Sequence, residues 1–202
     1  MDNTNAPPPC PNHYTHQYTF PEVALGSGSN EQPYFRAQIF FNKKPDVTEE
    51  FFHEHWKTVH ADLTIQTKAS NVLLTRYTQL HMDKASRDAL EPLFEAGGGL
   101  MHPMNYDGAA EFYARSAEDF TTFIKNVWAS DNLTGVLTRT GCGKRFADVV
   151  TGYQVFGGYE NLIMGSAIPG LGGKDGIALN DSRFVNDTSD DKAGSLAQNS
   201  GV

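Results

Sequence analysis

Between Tyr34 and Leu63 the hydrophobic period of the chain changes from two to 3.6, which prescribes a strand followed by a helix. Tyr34 to Asn42 is dense in aromatic and aliphatic residues and reads as a strand. A basic turn follows at Lys43-Lys44-Pro45-Asp46. Thr48 then supplies an N-cap, with Glu49 and Glu50 in a first turn where the helix dipole favours negative charge. Phe52, Trp56, Val59 and Leu63 fall at i, i+4, i+7 and i+11, one helical stripe. At 3.6 residues per turn His60 lies roughly 70° from the centre of that stripe, at its margin. A histidine there is suited to moving protons at the edge of a dry pocket; the alternative is a half-buried packing residue or helix-end cap.

The remaining elements alternate. Val72 to His81 alternates in polarity and is rich in β-formers, so it predicts a second strand. Asp83 to Glu95 predicts a helix interrupted by Pro92 and closed by Gly97-Gly98-Gly99. Ala109 to Ala114 predicts a short third strand. Ser116 caps a helix with Phe120, Phe123, Ile124, Val127 and Trp128 on one face. Residues 131–147 form a connector with room for a helical turn, and Val149 to Phe156 predicts the fourth strand. This order is α+β: the split βαβ of a ferredoxin-like fold with a four-stranded antiparallel sheet, one face covered by the two long helices. The second face needs cover too, since an apolar patch of that size promotes association.

Charge and composition exclude several functions. The chain has 24 acidic against 16 basic residues and a formal charge of −8. Nucleic-acid and anionic-membrane partners both need clustered Lys and Arg, so neither is expected. The two cysteines, Cys10 and Cys142, lie far apart and outside any CxxC, so no disulfide framework is expected. No apolar segment follows Met1 and no run has the length of a membrane span, which predicts a cytoplasmic protein without a signal peptide. Residues 1–32, with Pro7-Pro8-Pro9 and a Gly-Ser-Gly-Ser-Asn patch, read as a flexible leader or arm. Residues 33–164 are the folded domain, and residues 165–202, rich in Gly, Asp, Asn and Ser, read as a polar tail too poor in apolar area to offset its ordering entropy.

The runs FFNKKPDVTEEFFHEHW followed by His60, LLTRYTQLH, NYDGAAEFYARSAEDF and TGYQVF resemble, in this order, the EthD-like family of dimeric α/β barrels, most closely its fungal polyketide-pathway branch. The resemblance covers residues 34 to about 163 and implies a homodimer in which two sheets close a barrel. It also implies a small cofactor-free lyase or cyclase that decarboxylates, dehydrates or closes rings on an aromatic polyketide. Decarboxylation is the first expectation, then dehydration, then ring closure. The alternative is a non-catalytic barrel that binds a hydrophobic ligand or serves as a stress protein.

His60 is the catalytic residue the resemblance implies. A positioned histidine contributes ~10²–10⁴-fold to such proton transfers, and Trp56 and the phenylalanines around it disfavour its charged form. On the second strand Tyr77, Gln79 and His81 share one face and predict a polar pocket lining, with Tyr77 a second catalytic candidate. His102, also a catalytic candidate, and Asp107 lie in the GGGLMHPMNYDG loop, which could close as a lid. Phe40, Phe52, Trp56 and Tyr113 complete the candidate substrate contacts, since aromatic walls stack a flat substrate. Glu111 alternates with Tyr113 and is expected to pair with Arg36, the alternative being to orient an imidazole. Of the seven histidines, His53 and His55 point to different faces of the helix and His53 and His60 are two turns apart, which does not fit a zinc helix. No metal is expected, and haem, bound through a histidine in related barrels, is the minor alternative.

Overall fold

The computed structural model describes residues 12–24, 30–133 and 141–184. Parts of the expected leader (1–11 and 25–29), of the connector (134–140) and of the tail (185–202) lie outside the described residues. Four strands, β1 (Glu31–Phe41), β2 (Leu74–His81), β3 (Gly108–Ala114) and β4 (Gln154–Asn161), form one sheet in the order β2-β3-β1-β4. Every neighbouring pair is antiparallel, with Ile39 opposite Ala110 and Tyr77 opposite Phe112. Each βαβ unit straddles a strand of the other, so the ferredoxin-like α+β topology expected from the element order is the one found.

The helices begin where their caps dictate. Thr48 Oγ1 accepts from Phe51 N at 3.1 Å and opens α1 (Glu49–His55), which runs through a π-turn (Trp56–His60) into α2 (Ala61–Ile65). A short α3 (Ser70–Leu73) leads into β2. Asp83 accepts from Ser86 N at 2.7 Å to start α4 (Lys84–Ala96), which buries no residue. Ser116 accepts from Asp119 N at 3.1 Å to start α5 (Ala117–Trp128), and α6 (Gly143–Phe146) precedes β4. Among the described residues no helix is long and apolar enough to cross a membrane.

The core lies between the sheet and the α1–α2 and α5 helices. Phe41, Phe112 and Ala110 project from the sheet against Phe52, Trp56, Phe123 and Phe146. Edge-to-face packing joins them, with Phe41 at 4.8 Å from Trp56 and 5.9 Å from Phe52. Burial of each such ring is worth ~1.5–3 kcal/mol, and the T-shaped pairs add ~0.5–1.5 kcal/mol. β3 meets this cluster at Gly108, where an added Cβ would stand 2.7 Å from Trp56 Cη2. Trp56 is fully buried and has nowhere to retreat. Gly108→Ala is therefore expected to cost ~1–3 kcal/mol of stability, read as a lower urea midpoint; an unchanged midpoint would show that the indole can shift.

The opposite face of the sheet differs from the apolar surface anticipated. Its middle is ionic: Arg36 pairs with Glu111 at 2.6 Å and with Glu160 at 2.9 Å. Thr78 donates to Glu111 at 3.1 Å and Tyr34 to Glu160 at 2.9 Å. Of the alternate residues of β1 that face this way, Tyr34, Arg36 and Gln38 are polar and Phe40 is half-buried; Phe156 and Leu80 leave large apolar area exposed near one end.

Several boundaries moved: β1 starts three residues earlier than expected, at Glu31, and β4 runs on to Asn161. The fourth strand starts at Gln154 rather than Val149, because Asp148 accepts from Val150 N (3.0 Å) and Thr151 N (3.2 Å) and Gly152 turns the chain at φ 83°. The second starts at Leu74, after the α3 turn. Beyond β4, Ile177 N donates to Ile163 O at 3.0 Å, and Gln32 Nε2 donates to Lys174 O at 2.9 Å, tying residues 163–177 to the start of β1. Arg183 pairs with Asp181 (2.7 Å) and Glu22 (2.5 Å), and Phe184 meets Phe20 at 5.0 Å, so residues 20–22 and 181–184 hold each other.

Candidate active site

The π-turn positions the site. A π-turn holds one more residue than an α-turn and therefore rotates everything beyond it. The inward stripe becomes Phe52, Trp56, His60 and Thr64, a step of four. Val59, which a 3.6 period places in the stripe, is instead 48% exposed, and His60 turns inward in its place. Single-turn π segments often mark functional positions, and here the turn moves the histidine from the margin of the stripe to its middle.

His60 faces a cavity of about 360 Å³ between the helices and the sheet, within the size range of small-molecule sites. The sheet contributes Ile39, Phe41, Ala110 and Phe112; α5 contributes Phe120, Ile124 and Val127; Phe146 and Tyr153 come from the segment before β4. The polar side chains on this lining are those of His60, Thr64, Tyr77, Lys144 and Tyr153, with Trp56 beside them. Such a space takes a flat, largely apolar molecule with a few polar groups.

The His60 ring stands edge-on to Phe146 at 4.9 Å, and its Nδ1 is buried with no hydrogen-bond partner. Burial, and after it the charge of His55, holds the imidazole well below its ordinary 6.5, to about 4. It is neutral at pH 7, with a ring nitrogen uncommitted. Tyr77 stacks on Phe112 at 4.8 Å with the rings nearly parallel. Burial pushes its hydroxyl up, against the opposing effect of hydrogen bonds with Gln79, Trp56 and Thr64. Burial, then the charge of Asp148, also pushes up the hydroxyl of Tyr153.

His60, Tyr77 and Trp56 thus meet on one cavity. Gln79 and His81 share the Tyr77 face of β2 but stand behind the wall: Gln79 bonds the Tyr77 hydroxyl and His81 packs 4.3 Å from Trp56. Phe52 lies in the core beneath Trp56. The other candidates are elsewhere. Phe40 and Tyr113 belong to the ionic face, where Phe40 packs on Tyr106 at 5.6 Å and Tyr113 lies under Arg36 and Arg76; the period of two sends them away from Phe41 and Phe112. Asp107 accepts from Lys43 N at 2.9 Å and pairs with Arg87, fastening two loops. His102 is exposed, and no residue of its loop lines the cavity.

Sequence reasoning missed Phe146 and Lys144, which reach the cavity from a connector with no period to flag them, and Tyr153, which it read only as part of the fourth strand. Among the described residues no three His, Cys, Asp or Glu side chains gather as a metal site would require.

Residues 44–133, which include His60, Tyr77 and all of α5, match the family model described as EthD domain. Decarboxylase nsrE of Aspergillus novofumigatus (strain IBT 16806) is 26% identical over 154 residues, covering 76% of this chain and 96% of that protein. The order of motifs, the fold and these matches agree: residues 44–133 match the EthD domain model, and the chain is similar to that family.

Proposed function

We propose that the protein is a cofactor-independent lyase that decarboxylates a phenolic intermediate of a fungal aromatic polyketide pathway, with His60 moving the proton. The observation that carries this reading is the His60 imidazole, set on the wall of an apolar cavity with a buried ring nitrogen free of partners. Similarity to a protein named a decarboxylase supports the reaction type.

The chemistry needs one proton at the carbon that carried the carboxylate. With no anion beside it His60 is neutral, but a carboxylate brought into the cavity favours the imidazolium. The imidazolium then gives its proton to the ring carbon as the carbon–carboxyl bond breaks. CO2 leaves, the electron pair of that bond becomes the new C–H bond, and His60 returns to the neutral form. Apolar walls assist, because a carboxylate loses its hydration there while CO2 has little to lose. Tyr77 is placed to hydrogen-bond a phenolic or keto oxygen of the same ring and so stabilise charge that develops on it.

The test is to incubate the purified protein with extract of a fungal strain lacking it, in D2O, and follow masses. A product lighter by CO2 and carrying one new carbon-bound deuterium is expected. Loss of water, or an isomer of unchanged mass, would replace the assignment with dehydratase or cyclase; absence of any conversion would leave a binding barrel.

A further inference from the structure

Behind the cavity wall a string of hydrogen bonds runs from the α1 surface to the Tyr77 hydroxyl. His53 Nδ1 and His81 Nδ1 face each other at 2.8 Å, His81 Nε2 meets Gln79 Oε1 at 3.1 Å, and Gln79 Nε2 reaches Tyr77 Oη at 2.7 Å. The same Gln79 nitrogen also donates to the Trp56 carbonyl at 3.1 Å. That carbonyl already accepts from Ala61 N across the wide π-turn, and it has no hydrogen to give.

This last contact fixes the whole string. A carbonyl oxygen only accepts, so the group of Gln79 beside it must be the NH2, and Oε1 must face His81. His81 then carries its hydrogen on Nε2, its Nδ1 accepts, and His53 donates from Nδ1. Burial, with the charges of His53 and Lys57 adding to it, holds His81 down to about 4, so it is neutral at pH 7 as this arrangement needs. At the other end the Tyr77 oxygen takes a hydrogen from Gln79. Thr64 Oγ1, the near neighbour, has committed its own hydrogen to the His60 carbonyl at 2.7 Å. The phenol is left as a donor, toward Thr64 Oγ1 or toward a molecule in the cavity.

We propose that Gln79, locked by the His53–His81 pair and the Trp56 carbonyl, is a positioning residue that keeps Tyr77 a hydrogen-bond donor to the substrate's oxygen. The assignment rests on the proposed function for its consequence in turnover, but its geometry is testable without turnover. Long-range proton–nitrogen NMR of 15N-histidine-labelled protein at pH 7 should show His81 as the Nε2–H tautomer and His53 as the Nδ1–H tautomer. The opposite tautomer on His81, or a mixture of the two, would overturn the string.

The second arm is Gln79→Glu, whose carboxylate can only accept and would capture the Tyr77 hydrogen. It should lower kcat by ~10-fold or more with KM within about twofold, the mark of an interaction made in the transition state. Gln79→Met, which keeps length but bonds neither neighbour, should lose the single His81 tautomer. It should fall short of wild type by less than Gln79→Glu, because the phenol is then free rather than misdirected. Unchanged kcat in Gln79→Glu would refute the positioning role even with the expected tautomers. If the wild-type protein decarboxylates nothing, the proposed function fails while the histidine spectrum still decides the string.

Discussion

His60→Gln should retain the fold and lose decarboxylation by ~10²–10⁴-fold in kcat, the span a positioned general acid contributes. The ring stands at 4.9 Å from Phe146 and its Nδ1 bonds nothing, so the amide replaces it without breaking a network. The loss should fall on kcat with KM little changed, because the cavity walls that bind the ring stay in place. A phenolic substrate analogue lacking the carboxylate should bind both proteins with similar affinity. A variant with near-normal turnover would remove His60 from the chemistry and point to Tyr77, Tyr153 or Lys144, the other ionisable groups on the same cavity.

The same residue should make the protein sensitive to mild acid. Unfolded, the imidazole titrates at its ordinary 6.5; folded, burial holds it to about 4. Above pH 6.5 both states are neutral there and stability is at its full value. As pH falls from 6.5 toward 4 the unfolded chain takes up a proton that the folded one refuses, so stability declines across that window and levels off below it. For this buried group the loss amounts to about 3 kcal/mol. His81, lowered to about 4 in a more open setting, acts in the same direction. Urea unfolding at pH 7 and pH 4.5 should show a drop of about 2–3 kcal/mol more in wild type than in His60→Gln. Equal drops would mean that His60 is solvated in the folded protein. Paired carboxylates such as Glu111, held low against its burial by Arg36, and Asp181, held low by Arg183, are present in both proteins and cancel in the comparison.

The topology could be read from local pattern because each element carries its own signal. Thr48, Asp83 and Ser116 each cap the helix that their position announces. The alternation of β2 placed Tyr77, Gln79 and His81 on one face, and the aromatic stripe of α5 became a cavity wall. Glu111 pairs with Arg36, as the neighbouring strands allow. The candidates that ended elsewhere, Phe40, Tyr113, Asp107 and His102, were chosen for chemistry without a face to hold them. An aromatic ring or a histidine looks the same in sequence whether its strand turns it toward helices or toward an ionic face.

By itself the sequence determined the order and type of the elements, hence the ferredoxin-like sheet, and the helix that carries His60. Those follow from caps and periods that act within one or two turns of chain. Tertiary structure decided which way His60 points: the π-turn that rotates it begins at Trp56, whose ring packs where Gly108 carries no side chain. It alone brought Phe146 and Tyr153 to close the cavity, and joined His53, His81 and Gln79 to Tyr77 across separate elements. These contacts bridge residues far apart in the chain, and no local period encodes them.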